Sequence, residues 1–219
     1  MNQFITTQAI VLKTSNLGEY DKRLVMLTSD FGKITVFAKG VRRQNSKFLA
    51  ACSPFSYGQL QAFPGRDAYS FMDFAVSEFF EKLRSDFEAS CMGMYFLEVA
   101  DYYTRENNDD LEMFKLLYTS LRALTKTCGA EPVLDQNLVR RVFELRTLMV
   151  NGEYPGRDNM DKLSDGAEYA LYYVETAPLK KLFAFSVSDN VLAEISDLCD
   201  DLCRRFIGRH FNSLDMILT

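Results

Sequence analysis

Hydrophobic positions repeat with two different periods along this chain, and the change falls near residue 80. Before it lie short runs of β-branched and aromatic residues: Phe4 to Leu12, Arg23 to Thr28, Lys33 to Ala38, Ser56 to Ala62 and Ala68 to Val76. Asn16-Leu17-Gly18, Asp30-Phe31-Gly32 and Phe63-Pro64-Gly65-Arg66-Asp67 supply turn residues between them, and the last pair of runs reads as a hairpin. About five short strands in some eighty residues predict a small, highly curved sheet or barrel. After residue 80 the period becomes helical. Phe80, Leu83, Phe87, Cys91 and Met94 form one stripe on a helix running to about Arg105. The loop from Asn107 to Asp110 opens a second helix with Phe114, Leu117, Leu121 and Leu124 inward. Pro132 opens a third, with Leu138, Val142, Leu145 and Met149 inward, ending at Asn151-Gly152. A last stripe, Val191, Ile195, Leu198, Leu202 and Phe206, stops near Gly208, and polar Asn151 to Ser164 reads as a loop. The expected architecture is therefore α+β, strands first and helices after, with domains at 1–79 and 80–219.

Charge sharpens this division. The chain has a formal net charge of -5, yet residues 1–80 hold nine Lys and Arg against six Asp and Glu, and residues 81–219 hold 16 against 24. Between Phe31 and Arg66 there are six cations, Lys33, Lys39, Arg42, Arg43, Lys47 and Arg66, and no carboxylate. A field split in this way favours a polyanion at one end of the molecule, although a solvated cationic face with no ligand has the same signature. No apolar run approaches the roughly 18 residues of a membrane span, and residues 1–15 lack a basic segment followed by an apolar core. A cytoplasmic protein is expected. The five cysteines are odd in number and widely spread, which suits reduced thiols in a core better than a disulfide framework.

Catalytic chemistry has little to stand on. His210 is the one histidine, no G-x-S-x-G elbow occurs, and neither glycine-rich phosphate loop is present. Cys199 and Cys203 share a helix face and could join His210 as soft metal ligands, but they flank an apolar stripe and lack paired C-x-x-C knuckles, so core packing is expected and no metal. The barrel, by contrast, gives the cations a use. Curved five-stranded modules of the OB type bind single strands by pairing a cationic groove with aromatic rings. Phe31, Phe37, Phe48, Phe55, Tyr57 and Phe63 interleave with the cations, though alternation must send most of them inward, leaving one or two for bases. The segment from Gly40 to Lys47 is too polar to be buried and is the best phosphate clamp.

Gly18-Glu19-Tyr20-Asp21-Lys22-Arg23-Leu24-Val25-Met26-Leu27-Thr28, then Phe31-Gly32-Lys33, Ala38-Lys39-Gly40-Val41-Arg42-Arg43, Ser46 and Pro54-Phe55, resemble the N-terminal signature of the bacterial RecO family of recombination mediators. Arg140 to Arg146, on through Gly152 and Pro155, is similar to its mid-chain helix, and Arg204 to Met216 to its terminal segment. The resemblance implies an OB-fold barrel followed by an all-helical domain. It implies a non-enzymatic protein that binds single- and double-stranded DNA without a cofactor and anneals complementary strands. It also implies action with RecR and single-strand-binding protein, so that RecA loads at gaps. Many relatives carry a four-cysteine zinc site after the mid-chain Gly-x-x-Pro, whereas Asn151 to Phe185 contains no cysteine, so no such site is expected. On this reading Lys33, Lys39, Arg42, Arg43, Lys47 and Arg66 hold phosphates, with Lys13, Lys22 and Arg23 as further choices. Four to six neutralised phosphates predict a log K against log salt slope of roughly -3 to -5. Arg140, Arg141 and Arg146 could receive the acidic tail of single-strand-binding protein, or else pair with nearby carboxylates. The competing class is an OB-fold adaptor that meets an acidic protein and binds no DNA.

Overall fold

The computed structural model describes residues 4–106, 108–157 and 163–218. The predicted loop Asn151 to Ser164 therefore lies partly outside the described residues, as does Asn107. Five strands, β1 (Ile5–Leu17), β2 (Asp21–Thr28), β3 (Gly32–Ala38), β4 (Tyr57–Pro64) and β5 (Tyr69–Glu78), close into a barrel in the order β1-β2-β3-β5-β4. All ladders are antiparallel except β3 with β5, which meet in parallel at Val36–Tyr69 and Phe37–Ser70. Helices follow, so the chain is an OB-fold barrel and then a helical region, as the alternation and the helical stripes predict. These are α1 (Glu81–Ser85), α2 (Phe87–Tyr103), α3 (Leu111–Leu124), α4 (Gln136–Val150), α5 (Asp165–Thr176), α6 (Asp189–Phe206) and α7 (Asn212–Leu218). None of the described helices is long and apolar enough to cross a membrane.

Strand alternation fills the barrel. Ala9, Val11, Leu24, Met26, Ile34, Val36, Leu60, Ala62 and Phe74 point inward and form one buried cluster. The chain as a whole divides into two compact units, residues 1–81 with 93–115, and residues 82–92 with 116–219. The barrel unit thus takes in more than the strands, and its outer wall shows why. Ile10 and Leu27 face outward and are opposite one another, yet neither is exposed to solvent. The ladder neighbour of Ile10, Tyr57, packs its ring against Phe114 at 6.2 Å, and the neighbour of Leu27, Lys33, bonds Asp101. Asp101 and Phe114 therefore lie over this wall. Gly32, at φ 60°, lets the two approach, because a Cβ there would run into the Asn108 carbonyl.

The helices differ from the sequence expectation in three ways. The stripe from Phe80 to Arg105 is broken at Asp86, whose Oδ1 accepts the Ala89 amide at 3.0 Å and starts a new helix. The third helix begins at Gln136, capped by Asp135 through the Leu138 amide at 2.7 Å, and not at Pro132. α7 has no counterpart in the predicted elements, and neither has α5. Ser164 caps it through the Ala167 amide, and Ala167, Ala170, Leu171 and Val174 form its buried stripe. In the second unit α4, α5 and α6 pack on one another.

Candidate nucleic-acid interface

One end of the barrel is closed by the long connection between β3 and β4, and most of the predicted phosphate-binding cations stand there. Gly40, in the left-handed region at φ 70°, turns the chain out of β3 and donates its amide to Asp21 Oδ1 at 2.7 Å. The Arg42 amide bonds the Tyr20 carbonyl at 2.9 Å, and the Arg42 guanidinium reaches the Gly18 carbonyl at 3.3 Å. These contacts dock the connection onto the β1–β2 turn. Successive turns then carry it forward through Arg43 N–Gly40 O, Ser46 N–Arg43 O and Cys52 N–Phe48 O bonds. Val41, Ala51 and Cys52 plug the barrel core, and Phe48 meets Phe71 edge-on at 5.1 Å. Apart from Leu49 and Ala50, which are exposed, the apolar residues of the connection point in, and its cations point out: Lys39, Arg43 and Lys47 are exposed and Arg42 is half-buried. Arg43 lies over the Tyr20 ring at 5.6 Å, and Lys47 over Phe48 at 4.7 Å. Lys22 donates to the Cys52 carbonyl at 2.8 Å and so serves the plug. Burial pushes the Cys52 thiol up to about 11, with Lys22 opposing.

The other predicted cations are elsewhere. Lys33 faces the covered wall, where its Nζ donates to the Asp101 carbonyl at 2.6 Å and the Asp101 carboxylate at 3.0 Å, with 15% of its side chain exposed. Beside it Glu106 accepts from Thr35 Oγ1 at 3.0 Å, and Arg23 bonds the same hydroxyl at 3.3 Å. A strand cation reads as outward from alternation, but alternation cannot say that an acidic segment from residues 101–106 will lie over it. Lys13 is exposed on β1, and Arg66 is exposed in the β4–β5 turn next to Asp67. Among the aromatics, Phe31 and Tyr57 are half-buried against Tyr69 and Phe114, and Phe55 is buried. Tyr20 and Phe63 are the exposed rings near cations, at 43% and 37%. Sequence reasoning overlooked Tyr20 as a ring for stacking, although it lies in a turn beside Gly18.

In the second unit the three arginines expected to receive an acidic tail are engaged internally. Arg140 Nε bonds Glu144 Oε1 at 2.8 Å, and Arg141 bridges Glu144 Oε2 at 3.0 Å and Asp200 Oδ1 at 2.6 Å. Both arginines and Glu144 are buried. Burial alone would lower the Arg141 pKa, but the two carboxylates hold it above its ordinary value. Arg146 donates to the Val174 and Glu175 carbonyls at 3.0 Å each, filling the open C-terminal end of α5. Arg140 and Arg141 thus pair with nearby carboxylates, the alternative weighed for these residues, while Arg146 serves backbone carbonyls. Cys199 is fully buried, with its thiol pushed up by desolvation, while His210 is exposed and bonds Asp215 at 2.6 Å, so the three soft ligands do not converge. Among the described residues no group of three or more His, Cys, Asp or Glu has metal-site geometry.

A groove of about 940 Å³ also opens in this unit, between α3, the segment from Val133 to Leu138 and residues 179–192. Leu138 is buried and Leu134, Phe183, Phe185 and Leu192 half-buried on its walls, while Arg122, Lys126, Lys180, Asp135 and Asp189 are exposed around it. The helical periodicity gave no sign of it, because a groove arises from residues far apart in sequence.

The family profile described as Recombination protein O N terminal matches residues 1–80, and that described as Recombination protein O C terminal matches residues 84–159. A DNA repair protein RecO of Acetivibrio thermocellus is 27% identical, over 99% of this chain and 97% of its own length. That of Alkaliphilus metalliredigens is 33% identical over 69% of this chain, a match spanning 59% of the relative. The Clostridium acetobutylicum protein is 23% identical over 96% of both.

Proposed function

Because the chain belongs to the RecO family of DNA repair proteins, we propose that it is a non-enzymatic DNA-binding mediator whose grip on phosphates lies at the plugged end of its barrel. The observation that carries this reading is the sorting of the β3–β4 connection: apolar side chains fill the barrel while Lys39, Arg42, Arg43 and Lys47 are presented on a hydrogen-bonded loop. A cation on an ordered loop loses little conformational freedom when it meets a phosphate, and guanidinium groups can meet phosphate oxygens in pairs. Such a surface neutralises single and double strands alike and reads no sequence. With their charge screened and their bases free, two complementary strands can pair, so annealing needs no hydrolysed nucleotide.

The partners of this reading are RecR, single-strand-binding protein and, indirectly, RecA, at the nucleoid in the cytoplasm. For the acidic tail of single-strand-binding protein we place the dock in the α3 groove, whose half-buried apolar walls carry three exposed cations, Arg122, Lys126 and Lys180, against two carboxylates, Asp135 and Asp189. Arg141→Ala would then act through stability, and Lys126→Ala through tail affinity. The test of the whole reading is a strand-annealing assay with complementary oligonucleotides, bare or coated with single-strand-binding protein. Wild type should speed annealing of both, and Arg42→Ala/Arg43→Ala should not. A protein that binds no oligonucleotide at moderate salt, yet is captured by an acidic protein partner, would be an adaptor.

A further inference from the structure

The barrel has a second open wall, and its chemistry is unlike that of the plugged end. Along β4 the outward residues below the covered Tyr57 are Gln59, Gln61 and Phe63, and along β1 they are Phe4 just before the strand, Thr6 and Gln8. The ladder sets Thr6 opposite Gln61 and Gln8 opposite Gln59. Cross-strand partners of this kind stand about 5 Å apart, so the wall carries two adjoining rows of hydrogen-bonding side chains. At one end of these rows Phe4 and Phe63 meet edge-on at 6.2 Å, and both remain exposed, at 42% and 37%. β5 continues the wall with Ser70, Met72 and Ala75, all exposed. Among the described residues of these rows the one carboxylate is Asp73, opposite Gln61, and its Oδ1 accepts the Phe74 amide at 2.9 Å. The turn beyond Phe63 adds one cation, Arg66, and one carboxylate, Asp67.

We infer that this β1–β4–β5 wall contacts the bases of an unpaired DNA strand, Phe4 and Phe63 by stacking and the Gln8, Gln59 and Gln61 amides by hydrogen bonds to base edges. The inference rests on the DNA-binding reading and goes beyond it, since it assigns the bases to a surface separate from the cations that hold phosphates. Charge complementarity chooses the occupant. A phosphate-binding surface needs cations, and this wall is nearly neutral. Bases are themselves neutral, present flat faces that stack on aromatic rings, and carry donor and acceptor edges that a glutamine amide can match in pairs. A duplex stacks those faces away and ties up the pairing edges, so the wall discriminates in favour of single strands.

The experiment compares the full chain and its Phe63→Ala variant for binding to oligo(dT) and to an abasic strand of the same length, both labelled, with thermal melting as a check on folding. Wild type should prefer oligo(dT). Phe63→Ala should lose about tenfold on oligo(dT) and leave the abasic strand unchanged. Gln59→Ala with Gln61→Ala, two ladder positions with solvent-facing side chains, provides a second variant should Phe63→Ala melt early, and it should lose discrimination in the same direction. Equal affinity of wild type for the two strands, or equal loss on both in either variant, would overturn the inference. A change in sedimentation of the variants without a change in discrimination would overturn it too, making the wall a contact between copies of the chain. Wild type that binds neither strand in a salt-dependent way would instead sink the DNA-binding reading itself.

Discussion

Lys33 and Arg43 are both cations of the same charge run, and removing each should have opposite consequences for DNA binding and for stability. At the plugged end four cations are exposed or half-exposed, Lys39, Arg42, Arg43 and Lys47. If each neutralises one phosphate of a single strand, log K should fall against log salt with a slope of about -3, since each contact contributes about 0.7. This is the shallow end of the range expected from the sequence, because Lys33 and Lys22 already have partners inside the protein. Replacing Arg42 and Arg43 by Ala should bring the slope to about -1.4 and, at about 0.1 M salt, weaken binding about 25-fold, alike for all sequences. Lys33→Ala removes an ammonium held by Asp101 on the covered wall, so the slope should stay unchanged while stability falls by about 1 kcal/mol. Fluorescence anisotropy of a labelled oligo(dT) between about 50 and 200 mM salt reads the slopes, and urea denaturation reads the stability. A slope lowered by Lys33→Ala as much as by Arg43→Ala would refute the placement, since it would mean that residues 101–106 do not screen β3 from DNA.

Three further outcomes probe the fold that presents these surfaces. Gly32→Ala should destabilise by about 2 kcal/mol or more, because an L side chain at φ 60° is strained and its Cβ meets the Asn108 carbonyl; a neutral substitution in urea denaturation would show that Asn108 is not seated there. Glu144→Gln should cost about 3 kcal/mol by leaving Arg140 and Arg141 without their buried counter-charge, and Asp200→Asn distinctly less, since 48% of the Asp200 side chain is exposed; equal costs would contradict the geometry. At pH 8 a thiol with a pKa of about 11 is roughly 0.1% ionised, so Cys52 should resist a disulfide reagent in the native protein and react once unfolded; rapid native labelling of Cys52, located by mass mapping, would show that the plug is open.

The barrel was legible because alternation is a local property: each of the five strands carries its own signature, and closure follows from their number and shortness. α5 was legible as well, in the Ser164 cap and the stripe of Ala167, Ala170, Leu171 and Val174, and it was missed because two glycines, Gly156 and Gly166, and a polar approach masked its start. The buried ion cluster also had a local signal, since Arg140 and Arg141 stand four and three residues before Glu144, the spacings that bring side chains together on a helix. What no local pattern could give is which surfaces meet. A helical stripe says that a face is buried, and not that residues 93–115 are buried with the barrel; an outward strand lysine says nothing of the aspartate that will lie over it.

That difference decides how the charge run works. In sequence, Lys33, Lys39, Arg42, Arg43, Lys47 and Arg66 form one feature, and the barrel sends them to three places. Lys33 goes beneath an acidic segment, Lys39 to Lys47 to the outside of a plug, and Arg66 to a turn whose neighbours are exposed rings. On the proposed reading, phosphate binding and base contact are thereby separated. A surface that held phosphates and bases in one groove would sequester the bases that a second strand must reach. Cations concentrated on one loop, with uncharged amides and rings on another wall, allow the backbone to stay neutralised while the weaker base contacts are exchanged for pairing. If the chain anneals strands as proposed, annealing depends on the first surface and strand preference on the second, so Arg43→Ala should slow annealing of every pair of strands, whereas Phe63→Ala should narrow the gap between single-strand and duplex affinity and leave the salt slope intact.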